Sequence, residues 1–253
     1  MSATHSELNA SDQELERGER FLSAYNVIEQ AMQRKMGDAG SKEGFRRLID
    51  HLSDRDWSVR KFRDDLVEFA ELRNAIIHER ISPRYLIAVP LPGTVDRIER
   101  IAASMERPPL VYPRFRAEVV GFDVDDPVQK VLATLASTGY SQFPVYREGQ
   151  YVGLLTDGGI GRWLARSLGG IRQAGGAGPL DLTVGEVLKV EKNPDRARFI
   201  GRTATTYQAE NLFATSGKDK WRVSAVLITE NGRPEEDLLG IITPSDILTL
   251  NRE

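Results

Sequence analysis

The spacing of hydrophobic residues divides the chain into two parts that have different periods. In residues 1–80, hydrophobic positions recur every three or four residues, which is the period of a helix with one buried face. The clearest of these faces is made of Phe21, Leu22, Tyr25, Ile28, Met32 and Met36. The first part is therefore predicted to be an all-α helical bundle.

Two further helices complete the predicted bundle. A short helix covers GFRRLIDHL, residues 44–52, and a long helix runs from Val59 to about Arg80. Ser58 is the predicted N-cap of the long helix, because a serine hydroxyl accepts a hydrogen bond from a free N–H group in the first turn.

The second part of the chain contains an internal repeat. Short hydrophobic runs alternate there with helical segments and with turns of Gly, Asp and Asn, which is typical of mixed α and β structure. The order strand, helix, strand, strand, helix occurs in residues 116–164 and again in residues 198–250. Each copy has a predicted lead-in helix, TVDRIERIAASM for the first copy and TVGEVLKV for the second.

These patterns predict an α+β fold in which a helical bundle precedes two βαββα repeats. Prolines at positions 83, 90 and 92 favour a boundary between the two parts. The predicted domains are residues 1–85 for the bundle, 86–180 for the linker helix and first repeat, and 181–253 for the second repeat.

Composition narrows the function classes. The chain has 253 residues and no cysteine, which excludes disulfides, thiolate metal sites and cysteine nucleophiles. No hydrophobic run approaches the roughly 20 residues that a membrane span requires, and the polar N-terminus lacks a secretory signal, so we expect a cytoplasmic protein without a membrane partner. The formal charge of -3 argues against broad nucleic-acid binding, and no DNA partner is expected.

The repeated part resembles a tandem pair of CBS (cystathionine-β-synthase) domains. The resemblance rests on FPVY and VGLLTDGGI in the first copy and on SAVLITENG and LGIITPSDIL in the second. In that family two copies pack about a pseudo-twofold axis, and the clefts between them bind adenine nucleotides or related adenosyl ligands. The resemblance thus implies AMP, ADP or ATP as a regulatory ligand, and no cofactor is expected to be required.

The predicted ligand residues of the second copy lie in GIITPSD, and they are Gly240, Ile241, Ile242, Thr243, Pro244 and Asp246. Glycine allows close backbone approach, isoleucine offers apolar surface to a flat base, and a helix start attracts phosphate. The family places the matching threonine on phosphate and the matching aspartate on ribose. The same residues also suit an ordinary helix start with Thr243 as N-cap, and both interpretations stay open.

The first copy departs from this pattern. Thr156 matches the threonine and is followed by Asp157, but Gly159 stands where the family has its aspartate. We therefore expect one competent nucleotide site in the second copy and a weaker or empty one near Thr156 and Asp157. Thr203, on the entry strand of the second copy, is a further candidate for lining a cleft.

The segment RNAIIH near the end of the predicted bundle resembles the Arg-x4-6-His motif of the HEPN (higher eukaryotes and prokaryotes nucleotide-binding) superfamily. Many members are homodimeric, metal-independent ribonucleases. The resemblance implies that His78 assists proton transfer on RNA, that Arg73 stabilises the phosphorane charge, and that Asn74 holds the substrate. No metal site is predicted.

Helix geometry qualifies this hypothesis. Five residues of a straight α-helix turn about 500°, which leaves Arg73 and His78 about 140° apart, so a partner chain would have to complete the site. Residues 1–80 hold 13 Lys/Arg against 16 Asp/Glu, which does not favour strong RNA binding. The alternative is a non-enzymatic bundle that dimerises or docks a partner protein, with the arginine lying over an apolar stripe.

Overall fold

The structure is a computed structural model of the chain, and it describes residues 5–37, 40, 43–78, 88–171, 182–215 and 222–250. These residues belong to two compact units, Met1–Pro109 and Leu110–Glu253. The predicted boundary at residue 85 lies outside the described residues. Each unit is considered by itself below.

The described part of the first unit is helical. Its helices are α1 (His5–Met36), α2 (Phe45–Ser53), α3 (Trp57–Lys61), α4 (Arg63–His78) and α5 (Pro92–Glu106). Phe21, Ile28 and Met32 of α1 are fully buried, as are Leu48 of α2 and Leu66 of α4. The predicted helices α1 and α2 are therefore confirmed, and the buried residues of α1 lie on its predicted face, because side chains three or four residues apart share one face.

The prediction of one long third helix was wrong, because the chain breaks it at Phe62 into α3 and α4. The predicted cap was also wrong by two residues. Asp56 is the N-cap of α3, and its side chain accepts a hydrogen bond from the Val59 N–H at 3.1 Å. Ser58 lies inside the first turn and donates its hydroxyl to Asp56 instead.

Helix α5 packs against α1 within the first unit, although the sequence pattern made it the lead-in helix of the first repeat. Its buried face is Val95, Ile98, Ile101, Ala102 and Met105. Arg20 of α1 donates to both carboxylate oxygens of Glu99 at 2.9 and 2.8 Å. The hydrophobic period of α5 predicts that one face is buried but does not say which partner buries it.

The described part of the second unit contains two sheets with the same topology. The first copy consists of β1 (Phe122–Asp123), α6 (Val128–Thr138), β2 (Gln142–Arg147), β3 (Gln150–Thr156) and α7 (Asp157–Ile171). After α8 (Val184–Leu188), the second copy consists of β4 (Ala197–Gly201), α9 (Thr206–Thr215), β5 (Ala225–Thr229), β6 (Gly240–Ile242) and α10 (Pro244–Leu250). In each sheet the first strand is parallel to the second and the second is antiparallel to the third, which confirms the predicted repeat.

The segment that precedes each copy packs into the core of the other copy. Val184 and Val187 of α8 are buried in the core of the first copy. Val111 is buried in the core of the second copy, and Phe115 packs against that core. This crossing brings the chain that follows Phe115 next to strand β6, where the candidate site forms.

Candidate functional site

A cavity of about 330 Å³ lies in the second unit and is lined by both copies. The first copy contributes residues 117–120, which lead into β1, and residues 139–142, which join α6 to β2. The second copy contributes Ile241, Thr243, Ser245 and Asp246. A volume of this size lies at the lower end of the range for small-molecule sites.

Thr243 and Asp246 form a closed hydrogen-bond network at the start of α10. The N–H and the hydroxyl of Thr243 both donate to Asp246 Oδ2, each at 2.7 Å, and Thr243 Oγ1 lies 2.9 Å from Ser245 Oγ. This is the geometry of a helix start, in which a carboxylate accepts from the residue that precedes the helix. Both side chains also line the cavity, so the cap and the ligand interpretation are compatible.

The other predicted residues of GIITPSD do not line this cavity. Ile242 is fully buried in the core of the second copy, and Pro244 is exposed as the first residue of α10. Gly240 was predicted to let a ligand approach the backbone closely, but in this structure another backbone segment of the chain makes that approach. A Cβ atom there would lie 2.0 Å from the Phe115 carbonyl oxygen, so the glycine admits the chain's own backbone.

In the first copy a distant glutamate occupies the place next to Thr156. Glu191, which follows α8, has a side chain of 0% relative exposure. The N–H and the hydroxyl of Thr156 donate to Glu191 Oε2 at 3.2 and 2.9 Å, and Arg162 donates to Oε1 at 2.6 Å. Glu191 therefore accepts from Thr156 the same two hydrogen bonds that Asp246 accepts from Thr243.

Gly159 leaves space for the Glu191 carboxylate because it has no side chain. A Cβ atom at Gly159 would lie 1.9 Å from Glu191 Oε2, so no larger residue fits while the glutamate is in place. Asp157 is exposed and accepts a hydrogen bond from the Gly158 N–H at 2.6 Å. Thr203 is also exposed, and neither it nor Asp157 lines the described cavity.

Sequence reasoning missed several residues at the two sites. Glu118, Tyr140, Ser141 and Gln142 line the cavity, and Glu191 fills the first-copy site. Tyr140, whose exposure is 48%, follows Gly139, and a glycine between a predicted helix and a predicted strand marks a turn, so its place in this connection was visible in the sequence. Glu191 gave no local signal, since it lies 35 residues from Thr156.

A second cavity, of about 680 Å³, lies in the helical unit. It is lined by Tyr25, Glu29, Gly44, Phe45, Arg46, Arg47, Ala70, Glu71, Arg73 and Asn74. The Arg73 guanidinium lies 5.9 Å from the ring centroid of Tyr25, and its Nη1 donates to Asn74 Oδ1 at 3.4 Å. Two of the three residues predicted to be catalytic therefore lie together at one cavity.

The lining of this cavity contains both positively and negatively charged side chains. Arg46 pairs with Glu71 at 3.3 Å, and both side chains are exposed. Burial raises the pKa of the Tyr25 hydroxyl, Glu29 adds to this shift, and the charge of Arg73 opposes it. His78 is the last residue of α4, but its side chain lies outside the described part of the chain. The predicted partnership of Arg73 with His78 thus stays a prediction.

Comparison with known proteins relates the first copy of the repeat to one domain family. The family model described as the CBS domain matches residues 115–166. This range contains β1, α6, β2, β3 and the first part of α7, which is the first copy of the repeat. No curated protein matches the chain.

Three of the similar solved structures are CBS-domain proteins. A CBS domain-containing protein of unknown function from Kribbella flavida is 17% identical, with a TM-score of 0.40 over 55% of this chain and 97% of that chain. The CBS domain of a membrane protein from Sphaerobacter thermophilus is 18% identical, with a TM-score of 0.44 over 61% of this chain and 96% of that chain. The CBS domain pair of protein MJ0100, solved with 5′-methylthioadenosine and S-adenosyl-L-methionine, is 15% identical, with a TM-score of 0.41 over 56% and 95%.

The described residues lack both a membrane span and a metal-binding cluster. None of the described helices combines the length and hydrophobicity needed to span a bilayer. Within the same residues, no group of three or more His, Asp or Glu side chains is arranged to hold a metal ion.

Proposed function

We propose that the second unit binds one adenosine-type ligand per chain and thereby regulates the helical unit. The ligand class comprises adenine nucleotides, such as AMP, ADP or ATP, and related adenosyl compounds. The observation that carries this proposal is the cavity of about 330 Å³ to which both copies of the repeat contribute. Ile241, Thr243 and Asp246, three residues that the sequence pattern singled out, line it.

The side chains of the cavity suit a nucleoside. Ile241 and the exposed ring of Tyr140 offer apolar surface to a flat base. Asp246 Oδ1 is free of the Thr243 network, and together with Glu118 it offers acceptors to the ribose hydroxyls. The base would thus be held by packing and the sugar by charge-assisted hydrogen bonds.

The expected stoichiometry of one ligand per chain follows from the contacts that Glu191 makes in the first-copy site. Its carboxylate already accepts both donors of Thr156, and its second oxygen is bound by Arg162. A ligand entering the first-copy site would have to displace the buried Glu191 carboxylate from Thr156 and from Arg162. Each buried donor left without an acceptor costs about 1 to 3 kcal/mol, which disfavours a second ligand.

Titration calorimetry of the full-length chain with AMP, ADP, ATP and S-adenosylmethionine tests the proposal. We expect binding of at least one of these ligands at one site per chain, and at least tenfold weaker binding to the Asp246→Ala variant, which is about 1.4 kcal/mol. Glu235→Ala is the matched control, because Glu235 is exposed and does not line the cavity. Absence of binding by the unmodified chain would refute the proposal.

Regulation requires that the ligand bind two arrangements of the protein with different affinities. We propose that the chain acts as a homodimer and that ligand binding shifts the population of its arrangements. Analytical ultracentrifugation with and without ligand measures the dimer directly. A monomer under both conditions would rule out this part of the proposal.

A second candidate function is RNA cleavage by the helical unit. The supporting observation is that Arg73 and Asn74 line one cavity together with Arg46 and Arg47. In this proposal Arg73 stabilises the phosphorane charge, Asn74 holds the substrate, and His78 transfers the proton without a metal. The site is completed by the second chain of the dimer.

Cleavage of labelled RNA by the purified protein distinguishes this function from its alternative. His78→Ala should abolish cleavage and leave ligand binding intact, whereas His51→Ala, the same change at an exposed position of α2, should cleave normally. If the unmodified chain cleaves no RNA, the remaining function is the non-enzymatic one. The helical unit then serves to dimerise or to dock a partner protein.

A further inference from the structure

The cavity of the second unit combines a particular set of charges and hydrogen-bonding groups. Among the described residues that line it, two are carboxylates, Glu118 and Asp246, and none is a lysine or an arginine. Arg116 lies next to the lining segment, and it is exposed and not part of the lining. The described part of the lining therefore carries two carboxylates and no cationic side chain.

The two hydroxyl donors at the start of α10, those of Thr243 and Ser245, are already directed at protein acceptors. Asp246 Oδ2 accepts from both the N–H and the hydroxyl of Thr243. Because the Thr243 proton points to Asp246, the 2.9 Å contact with Ser245 is made by the Ser245 hydroxyl donating to Thr243 Oγ1. In the part of the lining that the first copy contributes, the Ser141 hydroxyl donates to Gln142 Oε1 at 2.9 Å. These hydroxyl protons are directed at protein acceptors.

We infer that the ligand of this cavity is a nucleoside without a phosphate group, with neutral or positive net charge. A phosphate is an anion with only hydrogen-bond acceptors at physiological pH, so it needs cations or free donors. This cavity offers carboxylate acceptors, which suit the hydroxyl groups of ribose, an exocyclic amine or a cationic substituent. The inference rests on the proposed nucleoside site and specifies its ligand class.

Calorimetry with matched adenosine compounds tests the inference. Adenosine, S-adenosylmethionine, AMP and ATP are titrated into the full-length chain at equal ionic strength. Divalent cations are removed, because a bridging metal ion would join carboxylates to phosphates. We expect adenosine or S-adenosylmethionine to bind at least tenfold more tightly than ATP. Lower salt should weaken ATP binding further, because repulsion between like charges is then less screened.

A charge reversal provides the specific readout. Glu118→Lys places a cation in the cavity lining, so it should strengthen ATP binding at least tenfold and weaken S-adenosylmethionine binding. Glu235→Lys makes the same change at an exposed position outside the cavity and should alter neither affinity by more than about twofold. A similar gain in both variants would show that only the net charge matters and would overturn the inference.

The outcomes separate this inference from the proposed function. If ATP binds the unmodified chain most tightly and more strongly at low salt, the ligand class is wrong but the nucleotide site stands. If none of the four compounds binds, the proposed site and the inference both fail. If the two ligands without phosphate bind most tightly and Glu118→Lys reverses the order, both are supported.

Discussion

Replacing Glu191 tests whether a carboxylate from a distant segment stands in for the one that the first copy lacks. Glu191→Ala removes the acceptor for the N–H and the hydroxyl of Thr156 and the partner of Arg162. Each buried donor left without an acceptor costs about 1 to 3 kcal/mol. Arg162 keeps 33% exposure and thus part of its hydration. We expect a total loss of about 3 kcal/mol in the free energy of unfolding.

Equilibrium urea unfolding of the full-length chain measures this loss. Tryptophan fluorescence is a suitable signal, since Trp163 is buried in the core of the first copy. With a slope of about 2 kcal/mol per molar urea, the midpoint should fall by about 1.5 M. Glu235→Ala is the control at an exposed position and should shift the midpoint little. A loss below about 0.5 kcal/mol for Glu191→Ala would refute the reasoning.

A second substitution makes the test specific to geometry. Gly159→Asp alone should destabilise the chain, because a Cβ atom there would lie 1.9 Å from Glu191 Oε2. Combined with Glu191→Ala, the same change supplies a carboxylate at the position that Asp246 holds in the second copy. The double variant should therefore be more stable than the sum of the two single changes predicts. Simple additivity would contradict the equivalence of Glu191 and Asp246.

Two further predictions concern the backbone and pH. Gly240→Ala should lower stability by about 2 kcal/mol or more in urea unfolding because its methyl group would strike the Phe115 carbonyl, whereas Gly93→Ala, which meets nothing within 4 Å, should be neutral or slightly stabilising. Burial acts to raise the pKa of Asp56, but hydrogen bonds, the largest from Lys35, outweigh it and lower the pKa. The stabilisation by Asp56 is thus full above about pH 4 and is lost as the pH falls through the lowered pKa. The stability difference between the unmodified chain and Asp56→Asn should shrink from pH 6 to pH 3, and a constant difference would contradict this assignment.

Local sequence patterns predicted the helices and strands well, because the buried face of each element sets the spacing of its own hydrophobic residues. The faces of α1 and α2 follow the helical period, and the two βαββα copies follow from strand-sized runs and turns. The start of α10 was also predictable, since threonine, proline and aspartate at these spacings favour a helix N-terminus. That start is one wall of the cavity, so part of the candidate site was visible in the sequence.

The remaining features depend on contacts between distant segments. The stripe of α5 shows that a face is buried, but it does not identify α1 as the helix that buries it. Gly240 marks a close approach without identifying Phe115 as the neighbour. From the sequence, Gly159 was interpreted as the loss of a ligand-binding aspartate. In the structure, the Glu191 carboxylate occupies the space that a side chain at Gly159 would need. None of these pairings has a local pattern.

The most direct test of the central claim is a crystal structure of the full-length chain with the tightest ligand from the calorimetric series. We expect one ligand per chain, in contact with Ile241 and Asp246, and Glu191 still hydrogen-bonded to Thr156. Ligand density at Thr156 with Glu191 displaced, or an unoccupied second-copy cavity, would contradict it.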